Sequence, residues 1–253
     1  MSNVASTLTE VVPEKYRDRT GVVRTAFVLT GVILITLVVN IAATLAVVST
    51  VGGNTSETLT FVMVTVGSEF AFLLVGGIYL QFRSSFRMPV HRPTQQAYPT
   101  LAAGLIGSFV TAFLSLAITD AIFPALELSP GYMEYSGLGG IAGSGLVVGV
   151  VLSILVIGPI EEFFFRGVIQ GRLREALGPV SAVSIAGAVF ALFHVYPVAL
   201  LTPPPAVIAH MSIYYLLMGV IFGWVYHRTE TLVAPVFVHG AFNAVVFSIP
   251  LWI

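Results

Sequence analysis

Long apolar runs separated by short polar turns dominate the chain. Seven of them, near 22–50, 58–82, 98–123, 141–165, 179–196, 206–227 and 232–252, approach or exceed the length needed to cross roughly 30 Å of hydrocarbon. The fifth is short, and Pro203-Pro204-Pro205 breaks any helix that follows it. This pattern predicts an all-α, polytopic transmembrane helical bundle of about seven to eight helices, the eighth being a re-entrant or peripheral helix around 124–140. No repeat or linker marks a second domain. Residues 1–253 therefore read as a single membrane domain, with a polar N-terminal segment (1–21), three N-terminal membrane spans (22–140) and a third part (141–253) that carries the candidate chemistry.

Composition supports the same class. The chain of 253 residues is 57% hydrophobic and 9% charged, with a mean hydropathy of +0.96, where soluble domains carry about 25% charged residues. It has no cysteine, which removes disulfides, thiolate metal sites and thiol nucleophiles. A formal net charge of −1 argues against a nucleic-acid partner, which calls for a concentrated excess of Lys and Arg. The polar stretch Met1 to Thr20 precedes an apolar run too long for a signal-peptide core of about 7 to 15 residues, so that run reads as a retained helix.

Charge also orients the bundle. Lys15, Arg17, Arg19 and Arg24 precede the first span, Arg83, Arg87 and Arg92 follow the second, Arg166, Arg172 and Arg174 end the fourth, and Arg228 separates the sixth from the seventh. With a cytoplasmic N-terminus, all eleven fall on the cytoplasmic side or in the cytoplasmic half of a helix. Glu57, Glu127 and Glu134 occupy the opposite loops. The expected location is the cell membrane, with the lipid bilayer as the chain's constant partner.

Ionisable groups inside spans carry the chemical information, because a charge at the bilayer centre costs at least about 2.5 to 3.5 kcal/mol. Three clusters qualify: Gly158-Pro159-Ile160-Glu161-Glu162-Phe163-Phe164-Phe165-Arg166, then Phe190-Ala191-Leu192-Phe193-His194, then His239-Gly240-Ala241-Phe242-Asn243. From the Gly178-Pro179 turn, helices running back to Glu161 and forward to His194 each climb roughly 23 to 26 Å, which sets the two side chains nearly level. His239 and Asn243 climb roughly 12 to 18 Å from the turn at Arg228 to Thr231, within side-chain reach if the turns differ in height. The geometry requires the helix to continue below Glu161 from Arg166 to Leu177. Glu162 and Arg166 are i and i+4, the favourable order for a helical ion pair, which leaves Glu161 free to face another partner. His239 and Asn243 share a face by the same spacing. Pro159 removes a backbone N–H, frees the carbonyl of Leu155, and predicts a kink just above Glu161.

Glu-Glu-x-x-x-Arg, Phe-x-x-x-His and His-x-x-x-Asn, in that order on three membrane helices, resemble the CAAX protease and bacteriocin-processing (CPBP or Abi) family of intramembrane endopeptidases. The resemblance covers roughly residues 141 to 253. It implies that Glu161 is the base activating water, His194 its partner, and His239 with Asn243 the stabilisers of the oxyanion, while Glu162 and Arg166 organise the site. The implied substrate is a membrane-anchored peptide or protein, including the C-terminus of a prenylated CAAX-type protein. The family's description as metalloproteases implies zinc as the alternative cofactor, with Glu161, His194 and His239 as ligands. A metal-free glutamate mechanism is the favoured reading, because no His-Glu-x-x-His helix is present to supply two ligands and a base together.

Other readings compete with these. Glu162 and Arg166 could be only a structural staple, and a lone intramembrane histidine is commonly a satisfied core residue. A chain of this fold could also be non-catalytic, a transporter, scaffold or immunity protein in which Glu161, Glu162 and the histidines relay protons, although no inverted repeat is visible. Aspartyl chemistry lacks its two embedded aspartates, since Asp18 lies outside any span and only Asp120 remains. Ser144 in Ala142-Gly143-Ser144-Gly145 should lie about 25 Å from Glu161, where small residues serve close helix packing instead. Glu69 in the second span belongs to no motif and its role is open. Asn40 reads as interhelical glue, His91, His210 and His227 as residues near span ends, and Phe163, Phe164 and Phe165 as lipid-facing or packing bulk.

The orientation is testable without background labelling, since the native chain has no cysteine. Arg87→Cys should react with an impermeant maleimide only from the cytoplasmic side. Labelling from outside would reverse the topology.

Overall fold

The computed structural model describes residues 19–51, 55–83, 88–122 and 142–252. Lys15, Arg17, Asp18, Arg87, Glu127, Glu134 and the helix expected around 124–140 lie outside the described residues. Within them the chain is helical, and seven helices are long and apolar enough to cross a membrane. They are α1 (Arg19–Thr50), α2 (Glu57–Gln81), α3 (Tyr98–Ile122), α4 (Ser144–Leu173), α5 (Pro179–Ala199), α6 (Pro205–Thr229) and α7 (Val233–Ser248).

Local signals explain most boundaries. The Ser56 side chain accepts the Leu59 N–H at the start of α2, satisfying one of the donors that a helix start leaves free. Pro179 and Pro205 open α5 and α6 at positions where their missing N–H costs nothing. α5 runs past the expected end and holds Pro197 inside it before stopping at Ala199. α4 starts later than expected and continues to Leu173, well below Glu161, as the level placement of Glu161 and His194 requires. The break expected at Pro159 takes the form of a π-helical stretch over Ser153–Ile157, closed by the Gly158 N–H on the Ser153 carbonyl. A second π-helical stretch spans Phe163–Gln170. Such wide turns let a helix re-aim its side chains without leaving its path.

α5 lies along α6, α1 along α2, and α3 against α6 and α7, while α7 packs on the upper part of α4. Two contacts are backbone to backbone. A Cβ on Gly219 would fall 2.7 Å from the Gly187 Cα, and one on Gly158 would fall 3.2 Å from the Gly240 Cα. Small residues at such crossings replace the hydrophobic driving force that lipid does not supply between helices. Phe72, Phe164, Phe165, Phe190 and Phe193 fill the centre with tilted and edge-on ring contacts, so Phe164 and Phe165 are core and not lipid-facing.

The described basic residues outside the core gather at one end of the bundle. Arg83 reaches Glu175 at 2.6 Å, Arg174 reaches Glu230 at 3.4 Å, and the Leu232 N–H bonds the Pro89 carbonyl. Asn40 does bridge helices: its amide donates to the Ser68 carbonyl and hydroxyl at 3.2 and 3.1 Å, and it accepts from the Tyr196 hydroxyl.

Gly219→Ala should destabilise the purified protein by about 1 to 3 kcal/mol, the usual cost of overpacking. Gly77→Ala, where a Cβ meets nothing within 4 Å, should be neutral. Denaturant unfolding in detergent compares them, and equal stability of the two variants would contradict the close crossing of α5 and α6.

Candidate functional site

Charge is buried where α4, α5, α6 and α7 meet. Glu162 and Arg166, one turn apart on α4, form an ion pair at 2.8 Å with both side chains 0% exposed. Arg166 has further partners. Its Nη2 donates to the Gly219 carbonyl at 3.0 Å, and its guanidinium carbon lies 4.9 and 5.3 Å from the ring centres of Phe190 and Phe222. Gln170, one turn further on, donates to the Gly223 carbonyl at 2.9 Å. Two side chains spaced i and i+4 on α4 thus grip two carbonyls spaced i and i+4 on α6.

Glu162 has a second partner that the sequence did not name. His239 Nδ1 donates to the same carboxylate oxygen, Oε1, at 2.7 Å. Arg166 therefore does not hold Glu162 alone; the glutamate sits between a guanidinium and an imidazole. The contact follows from the Gly158 and Gly240 approach, which brings α7 against α4 one residue from His239. The His239 ring stacks on Phe222, with centroids 4.5 Å apart and planes 17° apart. Asn243 lies one turn beyond on the same helix, partly buried.

Glu161 points away from this chain of charges. Its carboxylate is 3.7 Å from His194 Nε2, too long for a hydrogen bond and short enough for one water to touch both groups. His194 Nδ1 donates to the Phe190 carbonyl at 2.9 Å, which leaves Nε2 with its lone pair toward Glu161. The imidazole is clamped between Phe190 and Tyr215, with ring centroids at 4.2 and 4.4 Å. Glu161 and His194 both line a cavity of about 400 Å³. Its other walls come from Asn40 and Thr44 on α1, Ser68 and Phe72 on α2, and Met211 on α6.

The three motifs therefore converge as two linked sets: Glu161 with His194, and Glu162 with Arg166 and His239. Glu69 joins the first set from α2. It is 4% exposed and its carboxyl lies within hydrogen-bonding range of the Glu161 carboxyl. Gln170 and the His239–Glu162 contact were also missed by sequence reasoning. An intramembrane carboxyl such as Glu69 is itself a signal, and Gln170 could have been found as the i+4 neighbour of Arg166. His91 is exposed, and His210 and His227 are partly exposed, all apart from the two sets.

The alternative zinc ligands are Glu161, His194 and His239. Among the described residues no three His, Asp or Glu side chains are grouped to hold a metal ion. The donor arrangement does not fit a three-ligand zinc site.

The Glu162, Arg166 and His239 set makes a quantitative prediction. Arg166→Ala should cost about 3 to 5 kcal/mol, the loss expected when one partner of a buried pair is removed. Replacing Glu162 and Arg166 together should cost less than the sum of the single changes. A double-mutant cycle of unfolding free energies showing no coupling would contradict the contact.

No curated protein and no solved structure matches the chain significantly. A family model does match, over residues 143–245, and its description is type II CAAX prenyl endopeptidase Rce1-like. The matched segment runs from the start of α4 into α7 and contains Glu161, Glu162, Arg166, His194, His239 and Asn243. Over residues 143–245 the chain is thus similar to the Rce1-like type II CAAX prenyl endopeptidases, a protease family that matches the group its three motifs resemble.

Proposed function

We propose that the protein is an intramembrane endopeptidase in which Glu161 activates water to hydrolyse a peptide bond of a membrane-anchored substrate. The observation that carries this reading is the placement of Glu161 and His194 Nε2, 3.7 Å apart, on one wall of an apolar cavity. Both groups are hydrogen-bond acceptors. A water between them donates both its hydrogens and projects its lone pairs away from the pair, toward a carbonyl carbon in the cavity. As the oxygen adds, one proton passes to the Glu161 carboxylate, and the carbonyl π electrons move onto its oxygen. When the C–N bond breaks, the proton held by Glu161 goes to the departing amine, which restores the carboxylate.

His239 and Asn243 serve the oxyanion in this scheme. With Nδ1 given to Glu162, Nε2 is the ring atom of His239 left for the oxyanion, to which it donates as an N–H. The Asn243 amide, one turn away, is the other donor. Each such donor is worth about 2.7 to 4 kcal/mol in acyl transfer. Arg166 holds Glu162 in place, so its role is to position His239.

The substrate class follows from the surroundings. A cavity walled by Phe72, Phe193, Met211 and Leu201 beside Asn40 and Ser68 suits an apolar peptide arriving from within the bilayer. The prenylated C-terminus of a CAAX-type protein is the member of that class that the family description names. With a cytoplasmic N-terminus, the basic end of the bundle faces the cytoplasm of a cell membrane.

Purified protein in liposomes should cleave a prenylated CAAX peptide, with the products identified by mass spectrometry. Glu161→Gln, His194→Ala and His239→Ala should each abolish cleavage while remaining folded, because each removes a group acting in the same step. Asn243→Ala should lose about two orders of magnitude or more. Near-normal turnover by Glu161→Gln would overturn the general-base assignment.

A further inference from the structure

Glu69 lies on α2, outside the segment that carries the family match. Its Oε2 and that of Glu161 are both buried, and neither has a hydrogen-bond partner among the described residues. The two carboxyls are hydrogen-bonding neighbours, on helices packed together at this level, where the ring of Phe72, one turn on from Glu69, lies 5.0 Å from that of Phe164. Two ionised carboxylates accept and cannot donate, so this contact is repulsive unless one of them carries a proton. With a single proton the same contact becomes a short, charge-assisted hydrogen bond.

The surroundings decide which carboxyl holds it. Glu161 opens on the cavity and has His194 Nε2 at 3.7 Å. Behind it on α4, Glu162 is already shared by Arg166 and His239, so neither of these is free to pair with a second buried carboxylate. Glu69 is enclosed, does not line the cavity, and has no Arg or His paired with it among the described residues. Leaving it ionised would place an uncompensated charge at membrane depth.

We propose that Glu69 is a positioning residue of the site, a protonated carboxyl on α2 that donates a hydrogen bond to the Glu161 carboxylate. It fixes one oxygen of Glu161 and leaves the other to accept from water. It also keeps the two carboxyls at a single negative charge, which is the form the mechanism starts from. The catalytic consequence rests on the reading of Glu161 as the base; the protonation of Glu69 does not.

The test has two arms, both on the full chain purified into liposomes. Infrared spectra at neutral pH should show the deuterium-sensitive C=O stretch of a protonated carboxyl, lost in Glu69→Gln and retained in Glu161→Gln. Absence of this band from the unsubstituted protein, or its survival in Glu69→Gln, would overturn the proposal. In the second arm, cleavage of the prenylated CAAX peptide should fall by about 10- to 100-fold in Glu69→Leu, the scale of one hydrogen bond to a charged group. Glu69→Gln, whose amide N–H can donate to the same carboxylate, should stay within about tenfold of the unsubstituted rate on that scale. Equal impairment of the two variants, or a fully active Glu69→Leu, would overturn the positioning role. Failure of the endopeptidase reading would look different: no cleavage by any form, or full cleavage by Glu161→Gln, with the infrared arm still deciding where the proton sits.

Discussion

A guanidinium with no exposed surface is the constraint around which the bundle is arranged. Arg166 cannot lose its charge under ordinary conditions, and hydrocarbon offers it nothing, so the protein must surround it with acceptors and ring faces. It does so with Glu162, the Gly219 carbonyl and the faces of Phe190 and Phe222. Each partner comes with a structural requirement. An α6 carbonyl can face sideways toward Arg166 only where the helix has no side chain in the way, and Gly219 meets that condition while also letting α5 approach. The aromatic residues that take the positive charge are the same ones that wall the imidazoles. Positive charge, helix spacing and histidine orientation are thus consequences of one burial problem.

The π-helical stretches of α4 belong to the same solution. A regular α-helix from Ser144 to Leu173 would advance each side chain by a fixed angle. Wider turns above Gly158 and below Glu162 shift that phase twice. The outcome is that Glu161 and Glu162, adjacent in the chain, serve different partners: one opens to a cavity and His194, the other is sealed against Arg166 and His239. Phe164, Phe165, Arg166 and Gln170 are then all buried in one short segment, which a single helical face could not achieve.

What could be read from the sequence was whatever depends on distance along the chain. Span positions follow from run lengths, the Glu162–Arg166 pair from i,i+4 spacing, and the level placement of Glu161 and His194 from counting residues on either side of the Gly178-Pro179 turn. The remainder depends on distance between helices. The approach of His239 to Glu162 is set by Gly158 against Gly240, and no periodicity reports which two glycines will meet. Gln170 binds a backbone carbonyl, an acceptor that every residue possesses and that sequence therefore does not single out. Glu69 is 92 residues from Glu161, and no motif joins them; only the path of α2 past α4 does. The interhelical role read for Asn40 needed only its depth in a span, whereas its partners Ser68 and Tyr196 needed the fold.

The walls of the cavity divide unevenly along the chain. Glu161 on α4 and His194 on α5, the groups proposed to handle water, line one side, while Asn40, Thr44, Val64, Ser68 and Phe72 face them from the first two helices. Glu69 apart, shape and chemistry are therefore written in separate stretches of polypeptide, joined at the hydrogen bonds that Asn40 makes across to α2 and α5. In the proposed endopeptidase, substitutions at these five wall residues reshape what is admitted without touching the groups that cut a bond, so that appetite and bite vary independently within one scaffold.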